Sequence, residues 1–395
     1  MWRSCAYNVQ SSIGSTRRRP DRVRILLASN YYPEHMGGIE TVAASLASGY
    51  RLRGHDVRWI AGDIHERPHR GHADDVPVRV WNGIEGLGFP YPLPGPSGVV
   101  RIRQEVAWSQ IVHLHDCLYP ANIAAFRAAR RARRPVLLTQ HVAEVPYPNP
   151  LIRALQSLAY ASIGKAVLSR ADQVVFVSEQ VRLSFEPRVH FRKTPLVIEN
   201  GVDAQLFRPA SPAEREAFRS RLGASVSQPL LLFVGRFVEK KGVRLLRPLI
   251  ETTPQCAWLM IGRAGDVDPS TWHLPNLRVI AQLTPAQLRE HYAAADLLVL
   301  PSSGEGFPVV AQEAMACGTP ALLSEQTAAG VPAIRDVVFT TTLTRENLLT
   351  ALEAAVAAVA SNEGLRDRVA ALARERWRPE SVVIRYEAQL EALLR

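Results

Sequence analysis

The stretch SSGEGFPVVAQEAMACGTP, residues 302–320, holds two carboxylates, Glu305 and Glu313, among small and apolar neighbours and without a lysine or arginine. Pro308 suits the first position of a helix, Gly318 its end, and Pro320 lies beyond. On that helix Glu313 shares a face with Val309, Val310, Ala316 and Cys317. An acid there is either an exposed group on a helix rim or a buried one in need of a partner. An ionised carboxylate only accepts hydrogen bonds and suits a pair of vicinal hydroxyls, as on a sugar. Glu305 and the backbone of Gly306 and Phe307 fall at or before the helix N-terminus.

Two further loops carry groups that complement such a site. GRFVEKKG, residues 235–242, sets Arg236 and Lys241 around a short turn ending in glycine. It is either a solvated basic turn or a clamp for a diphosphate, each charge-assisted bond being worth roughly 1.5–3 kcal/mol. Gly37 and Gly38 precede a helical pattern, where bare backbone N–H groups can approach a ligand closely. Neither a GxGxxG fingerprint nor a GxxxxGK[ST] loop is present. Asp266 and Asp268 spell DxD but sit in the second half without a supporting metal-site pattern, and His65, His69 and His72 cluster in a charged loop whose helical register Pro68 breaks, so no metal site is expected. The cysteines Cys5, Cys117, Cys256 and Cys317 have no paired spacing, which fits a reducing compartment.

Positioning these loops requires strands that end at them. VRILLAS (23–29), DVRWIAG (56–62), IVHLH (111–115), PVLLTQH (135–141), QVVFVS (173–178) and LVIEN (196–200) are apolar runs separated by helical spans. The pattern restarts with PLLLFVGR (229–236), CAWLMIG (256–262), LRVIAQL (277–283) and DLLVLPS (296–302). This alternation predicts an α/β chain of two Rossmann-like halves with parallel sheets, binding ligands at the C-terminal ends of the strands. The Gly- and Pro-rich span 82–98, with Phe89 and Tyr91, reads as a loop. Val383, Tyr386, Leu390 and Leu393 give a closing helix that can pack back across the hinge. Residues 150–170 form an amphipathic stretch with two readings, packing on its sheet or lying on an anionic membrane surface.

The net charge is +10 and all but four of the basic residues are arginine. These arginines are dispersed and lack interleaved aromatics, so nucleic acid is not an expected partner. There is no run of about eighteen apolar residues to span a bilayer. Residues 1–21 have no apolar core of a signal sequence and read as a disordered basic lead-in. A cytoplasmic protein is expected, with peripheral contact at the inner face of the plasma membrane as its membrane alternative.

The Glu-x7-Glu block EGFPVVAQE running into AMACGTP, preceded by GRFVEKKG, resembles the retaining glycosyltransferases of GT-B fold, family 4. YYPEHMGGIE, VHLHD, VSEQVRLSF, VIENGVDAQLFRP and LREHYAAADLLVLPS extend the resemblance over about residues 22–390. It implies two Rossmann-like domains facing across a cleft, an acceptor-side domain at 22–208, a donor domain at 209–376, and a helix at 377–395 returning to the first. It implies transfer of a sugar from a nucleoside diphosphate, UDP- or GDP-linked, to a glycan, lipid-linked or small-molecule acceptor, without a metal or other cofactor. Arg236 and Lys241 then hold the diphosphate, Glu313 the ribose, and Glu305 with the Gly306–Phe307 backbone the transferred sugar. His141 faces that sugar from the first domain, and Gly37 and Gly38 form the N-terminal donor loop. Two departures bear on donor choice, Ala281 for a usual glycine and Ala333 for a glutamate. A third, Glu199 where the pattern has proline, is expected to loosen its turn. The alternatives on this fold are a non-catalytic sugar-nucleotide-binding subunit and a phosphorylase- or sucrose-synthase-like transferase.

Overall fold

The computed structural model describes residues 22–35, 37–63, 71–83, 91–144, 149–225, 227–362 and 364–395. The lead-in at 1–21, Phe89, His65 and His69 lie outside them.

The first half builds an eight-stranded sheet from β1 (Arg24–Tyr31), β2 (Asp56–Asp63), β3 (Asp75–Trp81), β4 (Leu93–Pro94), β5 (Ile111–His115), β6 (Val136–Gln140), β7 (Gln173–Phe176) and β8 (Leu196–Val197). Their spatial order is β4-β3-β2-β1-β5-β6-β7-β8, parallel throughout except for the β3–β4 pair. The second half builds six parallel strands, β9 (Leu230–Val234), β10 (Ala257–Ile261), β11 (Leu277–Ile280), β12 (Leu297–Leu300), β13 (Ala321–Ser324) and β14 (Phe339–Thr341). They are ordered β11-β10-β9-β12-β13-β14. β5, β6, β9 and β12 are buried along their whole length, because helices cover both faces of each sheet and every side chain meets a packed layer.

In each sheet the order reverses once, between β1 and β5 and between β9 and β12. Connections leave such a point in opposite directions, so a crevice opens beyond the strand ends there. The loops that follow β1, β9 and β12 contain Gly37–Gly38, Arg236–Lys241 and Glu305 respectively.

Several local expectations change. Pro308 is the N-cap of the helix Val309–Ala316, with φ −66° and ψ 128°, one position earlier than the sequence suggested. Gly318 follows that helix with φ +79°, a left-handed turn that suits glycine. The span 82–98 is not all loop: β4 and the start of the helix Pro96–Trp108 fall inside it, since Pro96 at the first turn needs no N–H partner. The 150–170 stretch is a helix at Pro150–Ala159, a π-turn at Tyr160–Gly164 and a short helix at Lys165–Leu168. No residue of Pro150–Ala159 is buried, and Leu151, Leu155 and Leu158 stay exposed, so this face is not packed on the sheet.

The closing helix Pro379–Leu394 returns to the first half. Val382, Val383, Tyr386 and Leu390 share a core with Val42, Leu46 and Tyr50 of the helix Gly38–Leu52. Glu387 accepts bonds there from Arg53 Nε at 2.7 Å and His55 Nε2 at 2.8 Å.

Glu199 does the opposite of loosening its turn. Its carboxylate is nearly buried and takes three donors: Arg376 Nε at 2.6 Å, Arg376 Nη2 at 2.5 Å and Trp377 Nε1 at 2.7 Å. Val202 N–H adds a bond to the Trp377 carbonyl at 2.9 Å. A proline at 199 has no side chain able to accept these bonds, so here the chain is fastened where it crosses between the halves.

Candidate active site

The two acids of the opening stretch find their partners far away in sequence. Lys241 Nζ lies 3.0 Å from Glu305 Oε1. Burial pushes the Glu305 carboxyl up, but Lys241 and Lys240 together outweigh it and hold the group below its ordinary range. Glu313 accepts from Tyr292 Oη at 2.9 Å. It is partly exposed yet walled in by protein, and with no cation at hand this enclosure pushes its carboxyl up to about 7 against the lowering effect of the Tyr292 bond.

The basic turn is held against the glutamate loop by backbone. Ser303 N–H donates to the Lys240 carbonyl at 2.8 Å, tying the β12 loop to the β9 loop. Gly242 closes the turn at φ +71°, and a Cβ there would lie 2.2 Å from the Pro301 carbonyl oxygen, so only glycine fits. Burial, helped by Lys241 and Arg236, lowers the Lys240 pKa, while Glu305 pulls it the other way. Arg236 is exposed, and its guanidinium makes no hydrogen bond or ion pair among the described residues. Lys240 and Lys241 thus act on the Glu305 carboxylate while the Arg236 charge is felt at Lys240, an excess of positive charge suited to a polyphosphate.

The first half contributes from β6 and from the helix after β1. His141 follows β6 and is buried, with Nε2 2.9 Å from His115 Nδ1 and their rings stacked at 5.1 Å. Burial lowers His141 and His113 to about 3 and holds His115 well below its ordinary value, so all three imidazoles are neutral. A Cβ on Gly306 would lie 2.6 Å from the His141 carbonyl oxygen and 2.9 Å from Val177 Cγ2. The glutamate loop of the second half therefore touches the end of β6 in the first.

Gly37 caps the helix Gly38–Leu52, and a Cβ on Gly38 would lie 3.8 Å from Val309 Cγ2. Glu40, in the first turn, is buried, and burial pushes its carboxyl up to about 7 despite its own backbone N–H and the Arg236 charge.

The structure gathers Arg236, Lys241, Glu305, Gly306 and His141, with Gly38 facing the helix that carries Glu313 and Gly37 lying against Glu40 instead. The Phe307 side chain does not join them. It is buried with its ring 5.5 Å from that of Trp377, so only its backbone is free for a ligand. Lys240, Glu40, His115 and Tyr292 were missed from the sequence. Glu40 sits in a helix first turn after paired glycines, and His113 and His115 share a strand face; both signals were legible. Tyr292 has none, as its contact spans 21 residues between separate helices.

The DxD aspartates are spent on turns. Asp268 accepts from Ser270 N at 3.0 Å and Ser270 Oγ at 2.6 Å, and Asp266 from Glu239 N at 3.4 Å. His72 accepts from Asp74 N at 3.2 Å. Concavities lined by Arg103, Val106 and Arg131, and by Glu199, Arg376 and Arg385, hold none of the gathered site residues.

Residues 36–206 match the model of Glycosyltransferase Family 4, and residues 214–376 that of Glycosyl transferases group 1. The chain is 30% identical over 293 residues to the D-inositol 3-phosphate glycosyltransferase of Xylanimonas cellulosilytica, covering 67% of this chain and 66% of that protein. It is 29% identical over 234 residues to the putative teichuronic acid biosynthesis glycosyltransferase TuaC of Bacillus subtilis, covering 58% and 57%. The chain thus spans less than two thirds of the length of both relatives. Its fold is similar to that of HepE from Anabaena in complex with UDP and glucose, with a TM-score of 0.74 at 19% identity over 94% of this chain and 100% of that one. Two parallel-sheet halves, a closing helix returned to the first, and both family matches have one meaning: the chain belongs to the family 4 (group 1) glycosyltransferases of GT-B fold.

Proposed function

We propose that this protein transfers a sugar from a nucleoside diphosphate donor to an alcohol acceptor, with retention at the anomeric carbon and without a metal. The observation that carries this reading is the contact of Gly306 with the His141 carbonyl beside the Lys241–Glu305 pair. It brings sugar-sized polar groups from one half against a phosphate-sized positive site in the other. Arg236, Lys240 and Lys241 supply the charge a divalent cation otherwise supplies at a departing diphosphate. Glu313 receives the ribose hydroxyls, and Glu305 with the Gly306–Phe307 backbone receives the sugar. No side chain is assigned as a nucleophile; the leaving phosphate takes the acceptor's proton.

UDP-glucose bound to the structurally similar HepE supports a UDP-type donor. The name of the inositol phosphate relative supports a polyol acceptor. The exposed Leu151, Leu155, Leu158 and Ile163 support a cytoplasmic enzyme that touches a membrane carrying its acceptor. Among the described residues no single helix is long and apolar enough to cross a membrane.

The deciding experiment is a thermal-shift and turnover screen of UDP-, GDP- and ADP-sugars, with and without EDTA. Stabilisation by one donor series, turnover in EDTA, and loss of both in Glu313→Ala are expected. Indifference to every nucleotide sugar sinks the reading, and binding without turnover on any acceptor favours a non-catalytic subunit.

A further inference from the structure

We propose that His115 is a positioning residue for His141: it donates its Nδ1–H to His141 Nε2, fixing His141 with its own proton on Nδ1, so that His141 meets the transferred sugar as a hydrogen-bond donor and not as a base. The sugar-facing part of this rests on the function proposed above.

The two nitrogens are 2.9 Å apart, so one donates and the other accepts. Which one donates follows from the far side of His115. That residue is fully buried, and its Nε2 has no partner among the described residues. If His141 Nε2–H donated to His115 Nδ1, a neutral His115 would carry its remaining proton on Nε2. That is a buried N–H with nothing to bond. If His115 Nδ1–H donates, Nε2 is left only with an unused lone pair. Orphaned buried N–H groups are rarer and costlier than under-used acceptors, so the second arrangement wins. A doubly protonated ring is disfavoured where three imidazole rings lie with centroids 4.5 and 5.1 Å apart in the protein interior.

The neighbouring imidazole supports the assignment by contrast. His113 is saturated on both sides, with Tyr50 Oη 3.3 Å from Nδ1 and Thr139 Oγ1 2.9 Å from Nε2. The Thr139 hydroxyl donates onward to Tyr386 Oη at 3.2 Å. Since Thr139 has spent its proton, its oxygen accepts from His113 Nε2–H, and Tyr50 donates to Nδ1. His113 is thus the opposite tautomer and is not bonded to His115. Among the described residues, His115 is the side chain hydrogen-bonded to the His141 ring. Nδ1 is then the uncommitted nitrogen of His141, and it is not sealed off as His115 Nε2 is. The residue's carbonyl abuts the glutamate loop, and on the function proposed above that N–H is the group His141 offers to the sugar.

The test is a long-range 1H–15N correlation spectrum of the full chain labelled in histidine, with His141 assigned by its loss in His141→Gln. The wild type should show protonated Nδ1 and bare Nε2 on His141 before any donor is added. His115→Phe should release the tautomer and lower kcat about 10- to 100-fold, with donor KM within about threefold, because only the orientation of the donating group is lost. His115→Asn, whose amide N–H can stand where Nδ1–H stood, should restore the tautomer and most of kcat. A wild-type His141 protonated on Nε2 overturns the proposal, whether or not His115→Phe folds. So does a folded His115→Phe with unchanged kcat, or a His115→Asn no better than it. Protonated Nδ1 in a chain inert to every nucleotide sugar instead overturns the functional reading and the sugar-facing role, leaving the hydrogen-bond assignment intact.

Discussion

Among the described residues Glu313 is an acid whose side-chain partner is a neutral phenol, and burial raises its pKa to about 7. Protonated, it has one oxygen that donates; ionised, it can take two vicinal hydroxyls. On the proposed function a ribose bound here draws the carboxyl toward its charged form and releases a proton on binding. Nucleotide affinity should rise as pH goes from 6 to 8, and Glu313→Gln should bind about tenfold more weakly at pH 8 and lose the slope, read by calorimetry in two buffers of different ionisation heat. Lys241 has a different job. Lys241→Ala strips the ion pair from a carboxylate enclosed in the cleft and removes charge from the leaving diphosphate, so kcat should fall about 100-fold or more in a turnover assay, with the fold retained by circular dichroism. The residue types and spacing of Arg236, Lys241, Glu305 and Glu313 were legible in the sequence. Tyr292 and Lys240 were not, because each acts through proximity created by folding.

The elements that matter most are the loops at the two reversal points of strand order. The β12 loop runs from Pro301 to Pro308, bonded to the β9 turn at one end and pressed against the end of β6 at the other. Gly306→Ala puts a methyl carbon 2.6 Å from the His141 carbonyl oxygen, and backbone on both sides gives way poorly. This variant should keep both sheets and its circular dichroism while kcat falls about 100-fold, since the two halves of the site are held apart. Apolar runs found ten of the fourteen strands, but β3, β4, β13 and β14 escaped them. β3 alternates buried and exposed positions at a sheet margin, and β4 is two residues long, so neither makes a continuous apolar run. The helix Pro150–Ala159 was legible as amphipathic, yet only the structure shows its apolar side uncovered.

At the scale of the molecule, several contacts fasten the two halves, among them Glu199 to Arg376 and Trp377, the glutamate loop to β6, the Glu179 N–H bond to the Gly330 carbonyl at 3.0 Å, and the closing helix to Gly38–Leu52. Glu199→Gln keeps the shape but weakens bonds to a guanidinium and an indole, one of them partly solvated. The thermal midpoint should drop by about 2–5 °C by calorimetry, and a return of the midpoint in Glu199→Gln/Arg376→Met would assign the loss to the unpaired arginine. The amino-acid order by itself determined that two α/β halves follow one another, that acids and cations end strands in the second, and that a helix closes the chain. These are local properties, written in periodicity and loop composition. The tertiary structure decided that Glu199 binds rather than loosens, that Lys241 neutralises Glu305 while Glu313 keeps only a tyrosine, and that His115 holds His141. Each of those is a contact between residues distant in the chain, where burial sets the strength of every charge and hydrogen bond, and burial exists only once the chain has folded.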